Sequence, residues 1–129
     1  LVSKRKKCAV FFVDVDNFKV LNDSHGHTYG DKVLKIIAKT IKDLLPDDGE
    51  CCRYGGDEFV SIFSYQDEDE AYDYATRVEE ALAKKDISVS VGIAFSQPGL
   101  SLSKAVDLAD KSMYRHKFMK FGDRRKNEQ

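Results

Sequence analysis

A length of 129 residues, 42% of them hydrophobic and 33% charged, fits one globular domain with a modest core and excludes a disordered chain. A net charge of −1 argues against a dedicated nucleic-acid or membrane surface. Lys4-Arg5-Lys6-Lys7 and the stretch 115–126 are basic and Asp67-Glu68-Asp69-Glu70 is acidic, and such runs read first as solvated helix faces or termini. Three cysteines, two of them adjacent as Cys51-Cys52, fit neither a disulfide framework nor a C-x-x-C metal knuckle, and point to reduced packing thiols. The longest apolar run, residues 8–13, is far too short to span a bilayer, and no signal-like segment is present, so a cytoplasmic domain is expected. Leu1 is not a start methionine. The chain therefore reads as a single domain over 1–129 cut from a longer protein, whose other parts could anchor it to a membrane.

In chain order, Cys8-Ala9-Val10-Phe11-Phe12-Val13 is a continuous run rich in β-formers, the pattern of a strand buried on both faces. Asp16 follows where a helix N-cap belongs, before Asn17-Phe18-Lys19-Val20-Leu21-Asn22; a second metal-ligand role is its alternative. Gly26 and Gly30 bracket a predicted loop with His27 and Thr28, in which His25 and His27 form an H-x-H. A helix is predicted from Asp31, a helix-start acid, to about Leu45, with Val33, Leu34, Ile37, Ala38, Ile41, Leu44 and Leu45 on one stripe. Pro46-Asp47-Asp48-Gly49 ends it with turn chemistry.

Residues 50–54 and 58–63 read as strands joined through Gly55-Gly56, a pair suited to the positive φ angles of a tight hairpin. Residues 68–85 form a second amphipathic pattern, with Ala71, Ala75, Val78 and Leu82 inward. Ile87, Val89, Val91, Ile93 and Phe95 alternate with small or polar residues, as in a strand. After Gln97-Pro98-Gly99, a last helix from about Ser101 carries Ala105, Leu108, Ala109, Ser112, Met113 and His116 on one side. There is no internal repeat and no low-complexity segment.

The order β-α-α-β-β-α-β-α contains a ferredoxin-like βαββαβ core, an α+β fold with a mostly antiparallel sheet flanked by helices. A right-handed crossover makes the first two strands parallel, so both end at one edge of the sheet. The hairpin after the second strand lies at that edge, and a third strand inserted beside the first makes Asp14 and Asp57 near neighbours. Two such carboxylates suit Mg²⁺, which completes its octahedron with phosphate oxygens and water. Gly55 and Gly56 leave a triphosphate unobstructed and turn backbone N–H groups toward it, while Lys19 can neutralise phosphate charge. These parts suit phosphoryl or nucleotidyl transfer. A G-x-x-x-x-G-K-[ST] loop is absent, which argues against a P-loop enzyme.

Arg53-Tyr54-Gly55-Gly56-Asp57-Glu58-Phe59, with Asp14-Val15-Asp16-Asn17-Phe18-Lys19 and the stretch 22–31 upstream, resembles the GGDEF family of bacterial diguanylate cyclases. Ser88-Val89-Ser90-Val91-Gly92-Ile93-Ala94 and Ala109-Asp110-Lys111-Ser112-Met113-Tyr114 match the family's later landmarks, so the likeness covers nearly the whole chain. The resemblance implies an enzyme that joins two GTP molecules into cyclic di-GMP with loss of pyrophosphate, working as a pair of facing domains. By resemblance, Asp14, Asp57 and the backbone carbonyl of Val15 hold Mg²⁺, with Mn²⁺ as a substitute. Asn22 and Asp31 would read guanine rather than adenine, and His27 would sit in the same pocket. Lys19 and Lys117 would meet the phosphates, and Asp57 or Glu58 would take the 3′-hydroxyl proton. The alternative is a catalytically silent GTP-binding module that regulates a neighbouring domain.

The chain departs from the family pattern in three places. Pro46-Asp47-Asp48-Gly49 stands where product-inhibited members carry R-x-x-D, so no tight inhibitory site of that type is expected. Lys117 leads into a longer tail than usual, leaving Lys120 or Arg124 as the candidate second phosphate-binding cation. The family's usual opening segment is missing before Leu1, and an upstream regulatory domain is expected with it.

Overall fold

The computed structural model describes residues 7–122. Its elements are β1 (Cys8–Val15), α1 (Phe18–His25), α2 (His27–Leu44), β2 (Glu50–Gly55), β3 (Glu58–Ser64), α3 (Asp69–Ala83), β4 (Val89–Phe95) and α4 (Leu102–Phe121). They form one four-stranded sheet in the order β2-β3-β1-β4. β3 is antiparallel to β1 and β2, and β4 is antiparallel to β1, which leaves β1 and β2 parallel as the crossover rule requires.

β1 has hydrogen-bonded neighbours on both edges and helices on both faces. Alternation sends Ala9, Phe11, Val13 and Val15 into one core, with Val33, Ile37 and Ile41 of α2 and Val78 and Leu82 of α3. Phe11 stacks on Phe63 with ring centroids 5.0 Å apart, and the edge of Tyr74 closes the cluster. Val10 and Phe12 point the other way, against Ala105, Val106, Ala109 and Met113 of α4. The apolar run is continuous because neither face of this strand meets water.

Four local expectations are corrected. α2 begins at His27, so the predicted loop between Gly26 and Gly30 shrinks to one residue; Gly26 at φ 87° reverses the chain, a conformation that costs glycine least. The N-cap of α1 is Asn17, in the left-handed region at φ 57°, rather than Asp16. Asparagine tolerates that region better than most residues. Neither Gly55 nor Gly56 adopts positive φ. Instead Arg53 holds the hairpin, its Nε donating to the Gly55 carbonyl at 3.3 Å and its Nη2 to the Gly56 carbonyl at 2.6 Å. On α4, the inward stripe is Ala105, Val106, Ala109, Met113 and Lys117, while Leu108 and His116 face outward. Ser101 caps that helix, its side chain accepting from the Lys104 N–H at 3.1 Å.

Close packing of α4 on β4 depends on Gly92. A Cβ there would collide with the backbone of Ala109 and Met113, which cannot swing aside as a side chain does. Gly92→Ala is therefore expected to lower the unfolding free energy by about 3 kcal/mol, measured by urea denaturation.

Candidate active site

β1 carries Asp14 toward the edge of the sheet, with Asp16 just past its end, and the strand's neighbours decide their surroundings. Asp14 lies opposite Glu58 of β3 on one side and Ser90 of β4 on the other. The Gly56-Asp57 turn folds back over the strand end, where the Val15 N–H donates to the Asp57 carbonyl at 3.2 Å. Carboxylate oxygens of Asp14, Asp57 and Glu58 consequently lie within 4.8 Å of one another. Gly55 makes room for this: a Cβ on it would strike the Glu58 carboxylate. Gly56 has open space around it.

Such crowding disfavours the charged forms. Burial, opposed by Lys117 and reinforced by Asp57, pushes the Asp14 carboxyl up to about 7. Burial, then Asp57 and Asp110, also raises Glu58 above the usual carboxylate range. Asp14 Oδ2 accepts from Lys117 Nζ at 2.8 Å, whereas Asp14 Oδ1 is buried with no hydrogen-bond partner. An unpaired buried acceptor within a ring of acids fits a hard cation as its missing partner.

Asp16 is buried to 5% exposure, and it is neither a cap nor part of the acidic cluster. Its carboxylate accepts from the hydroxyls of Ser88 at 2.6 Å and Ser90 at 2.8 Å, and from Lys120 at 3.3 Å. Lys117 lies 3.5 Å from its other oxygen. These donors outweigh burial and hold Asp16 below the ordinary carboxylate range. Lys120 also donates to the Val89 carbonyl at 2.7 Å, which ties it into this network. Arg124, the other candidate cation, lies outside the described residues.

The nucleotide-reading candidates occupy a second cluster, on the α1–α2 hairpin. Asn22 is half-buried on α1 with an unpartnered Oδ1, and a Cβ on Gly30 would overlap that oxygen. Gly30 thus serves the Asn22 side chain, not a loop. His27 and Asp31 are exposed on the first turns of α2. Asp31 opens onto a groove of about 470 Å³ between α2 and β2, whose lining includes Leu34, Lys35, Arg53 and Phe59. Lys19 is exposed on α1. The structure therefore gathers Asp14, Asp57, Glu58 and Lys117 at contact distances, with Val15 in the adjoining backbone, and sets Lys19, Asn22, His27 and Asp31 on the neighbouring hairpin. Where the R-x-x-D would stand, Asp48 instead accepts from the Ser64 N–H at 3.0 Å and from its hydroxyl.

Sequence reasoning missed the Asp16 hub. The available signal was Ser88-x-Ser90, two hydroxyls two residues apart at the start of an otherwise apolar strand pattern.

The family described as "Diguanylate cyclase, GGDEF domain" matches residues 2–122, and the chain belongs to this GGDEF domain family. It is 36% identical to Signaling protein YkoW of Bacillus subtilis, covering 89% of this chain and 17% of that protein. It is 31% identical to Diguanylate cyclase A of Treponema denticola, covering 88% of this chain and 33% of that one. The chain thus spans a third or less of these two curated relatives. The solved active GGEEF domain of a diguanylate cyclase from Vibrio cholerae superposes with a TM-score of 0.79 at 26% identity, covering 88% of this chain and 78% of that one.

Replacing Asp16 by alanine takes the acceptor from the Ser88 and Ser90 hydroxyls and one anion from Lys117 and Lys120. Asp16→Ala is expected to cost about 3 kcal/mol of folding stability, read as a lowered urea midpoint with unchanged slope.

Proposed function

We propose that this domain is a diguanylate cyclase, condensing two GTP molecules into cyclic di-GMP with release of pyrophosphate. The observation that carries the reading is the triad Asp14, Asp57 and Glu58 with the orphaned Oδ1 of Asp14. Asp14, Asp57 and the Val15 carbonyl would hold Mg²⁺, or Mn²⁺ in its place. Bound there, the cation would neutralise charge on the triphosphate and orient it.

The chain's own groups divide the remaining work. Gly55 and Gly56 offer a hairpin with no side chain to obstruct phosphate. Lys19 and Lys117 bring positive charge to the phosphates from α1 and α4. Asn22 and Asp31 read the guanine edge: a carboxylate accepts from its N1 and N2 donors, a pair adenine lacks. His27 borders the same pocket. Glu58 is the preferred base for the 3′-hydroxyl, because a carboxyl raised by its surroundings holds a proton better than an ordinary one. The 3′-oxygen then bonds to the α-phosphorus of the opposite GTP as the bond to pyrophosphate breaks.

One domain presents one such site, and two bonds must form between two nucleotides. A second copy facing the first is therefore required, and an upstream module would bring the pair together. Among the described residues no helix is long and apolar enough to cross a membrane. A GTP-consuming domain belongs in the cytoplasm, and we place it there.

With the domain fused to a dimerising partner and supplied with GTP and Mg²⁺, cyclic di-GMP should accumulate. Asp57→Ala should reduce the rate at least about a thousandfold by removing a metal ligand. GTP binding without product would instead leave a silent GTP-binding signalling module. A second prediction concerns pH. Because Asp14 ionises near 7, protons and the cation compete for it below that pH. Apparent Mg²⁺ affinity is expected to weaken by up to about tenfold for each pH unit below 7, measured by calorimetry.

A further inference from the structure

Lys117 is a buried lysine, 9% exposed, on the inward stripe of α4. Its Nζ lies 2.8 Å from Asp14 Oδ2 and 3.5 Å from Asp16 Oδ1, so one ammonium is shared between two carboxylates, one near the end of β1 and one just past it. The two carboxylates are not equivalent. Asp16 is also held by Ser88, Ser90 and Lys120, and its side chain is fully buried. Asp14 stands with one oxygen on Lys117 and the other unpaired among Asp57 and Glu58.

We propose that Lys117 is a built-in counter-ion that competes with a divalent cation for the charge of Asp14, and that Asp16 is the positioning residue that holds the ammonium at the site as its bond to Asp14 weakens. Asp14 cannot give its full charge to both partners. When a cation takes the unpaired Oδ1, Asp14 shares its charge, so the shorter contact of Lys117 weakens while the longer one to Asp16 remains. Its ammonium is then freer of Asp14 yet tethered beside it by Asp16, where an incoming phosphate meets it. Lys120 completes the arrangement by pairing with the opposite oxygen of Asp16 and the Val89 carbonyl, which keeps Asp16 in place through the exchange. The lysine thereby limits metal binding before nucleotide arrives, and nucleotide phosphate favours the exchange by giving the freed ammonium an anion. Lys117 is thus more than a phosphate contact, because a lysine serving phosphate alone would leave metal binding without nucleotide unchanged.

The proposal rests on Asp14 being a metal ligand, and one experiment separates the two claims. Mn²⁺ binding is measured without nucleotide at pH 8.5, from the electron paramagnetic resonance signal of the free ion, for the parent domain, Asp14→Ala and Lys117→Met. Loss of binding in Asp14→Ala is expected, and its retention would overturn the metal site itself. With that loss established, Lys117→Met should bind Mn²⁺ about fivefold tighter, the effect of removing one competing ammonium. Unchanged or weaker binding in Lys117→Met overturns the exchange while leaving the metal site standing. Should Lys117→Met fail to fold by circular dichroism, Lys117→Gln is read the same way. For Asp16, Asp16→Asn should raise the GTP concentration needed for half-maximal rate more than it lowers the maximal rate. Asp16→Glu should recover part of that loss. Equal loss in both parameters, with no recovery, would reduce Asp16 to a structural residue.

Discussion

Strand β1 is enclosed on all four sides, and that enclosure governs the rest of the molecule. Two hydrogen-bonded neighbours and two helical layers leave it no contact with water until its final residues. The sequence places two carboxylates, Asp14 and Asp16, at just that boundary. A charge buried there without partners would cost far more than burying any one apolar side chain returns. Every element meeting the strand end therefore contributes to settling those charges. Ser88 and Ser90, at the start of β4, bring two hydroxyls, α4 brings two lysines, and the β2–β3 hairpin brings further acids instead of relief.

The two aspartates illustrate how one residue of separation along a strand separates two fates. Asp16 is satisfied by the protein itself, and its donors hold it ionised. Asp14 is left short of positive charge, with a raised proton affinity and an oxygen facing no donor. The first is an anion fixed by the protein's own donors, and the second is an unmet demand that a ligand can fill. Arg53 extends the same logic to the backbone, since its guanidinium fixes the two successive carbonyls that lead into Asp57.

Much of this is legible in the residues alone. Continuous β-formers in residues 8–13 announce a strand buried on both faces, and crossover handedness then forces the hairpin to its end. The ferredoxin-like order and the meeting of Asp14 with Asp57 follow from those two facts. What stays hidden is decided by contacts distant in sequence. Nothing near Asp16 distinguishes a helix cap from a buried acceptor, because its donors lie more than seventy residues away. Lys117 looks like any helix lysine until α4 is rotated onto β1, and a stripe drawn through Leu108 and His116 implies the wrong rotation. Gly30 reads as a loop marker because its real constraint, the Asn22 side chain, sits on another helix.

The α1–α2 hairpin has a different mechanical character from the strand end it faces. No residue of α1 is fully buried, and a single glycine at positive φ joins it to α2. The acids, by contrast, are set at the end of the most enclosed strand of the sheet. Under the proposed function, selecting a base and managing a triphosphate would fall to parts of the chain with separate anchorage. Natural variation could retune which nucleobase is accepted by reshaping the hairpin, while the chemistry at the sheet edge passes through unaltered.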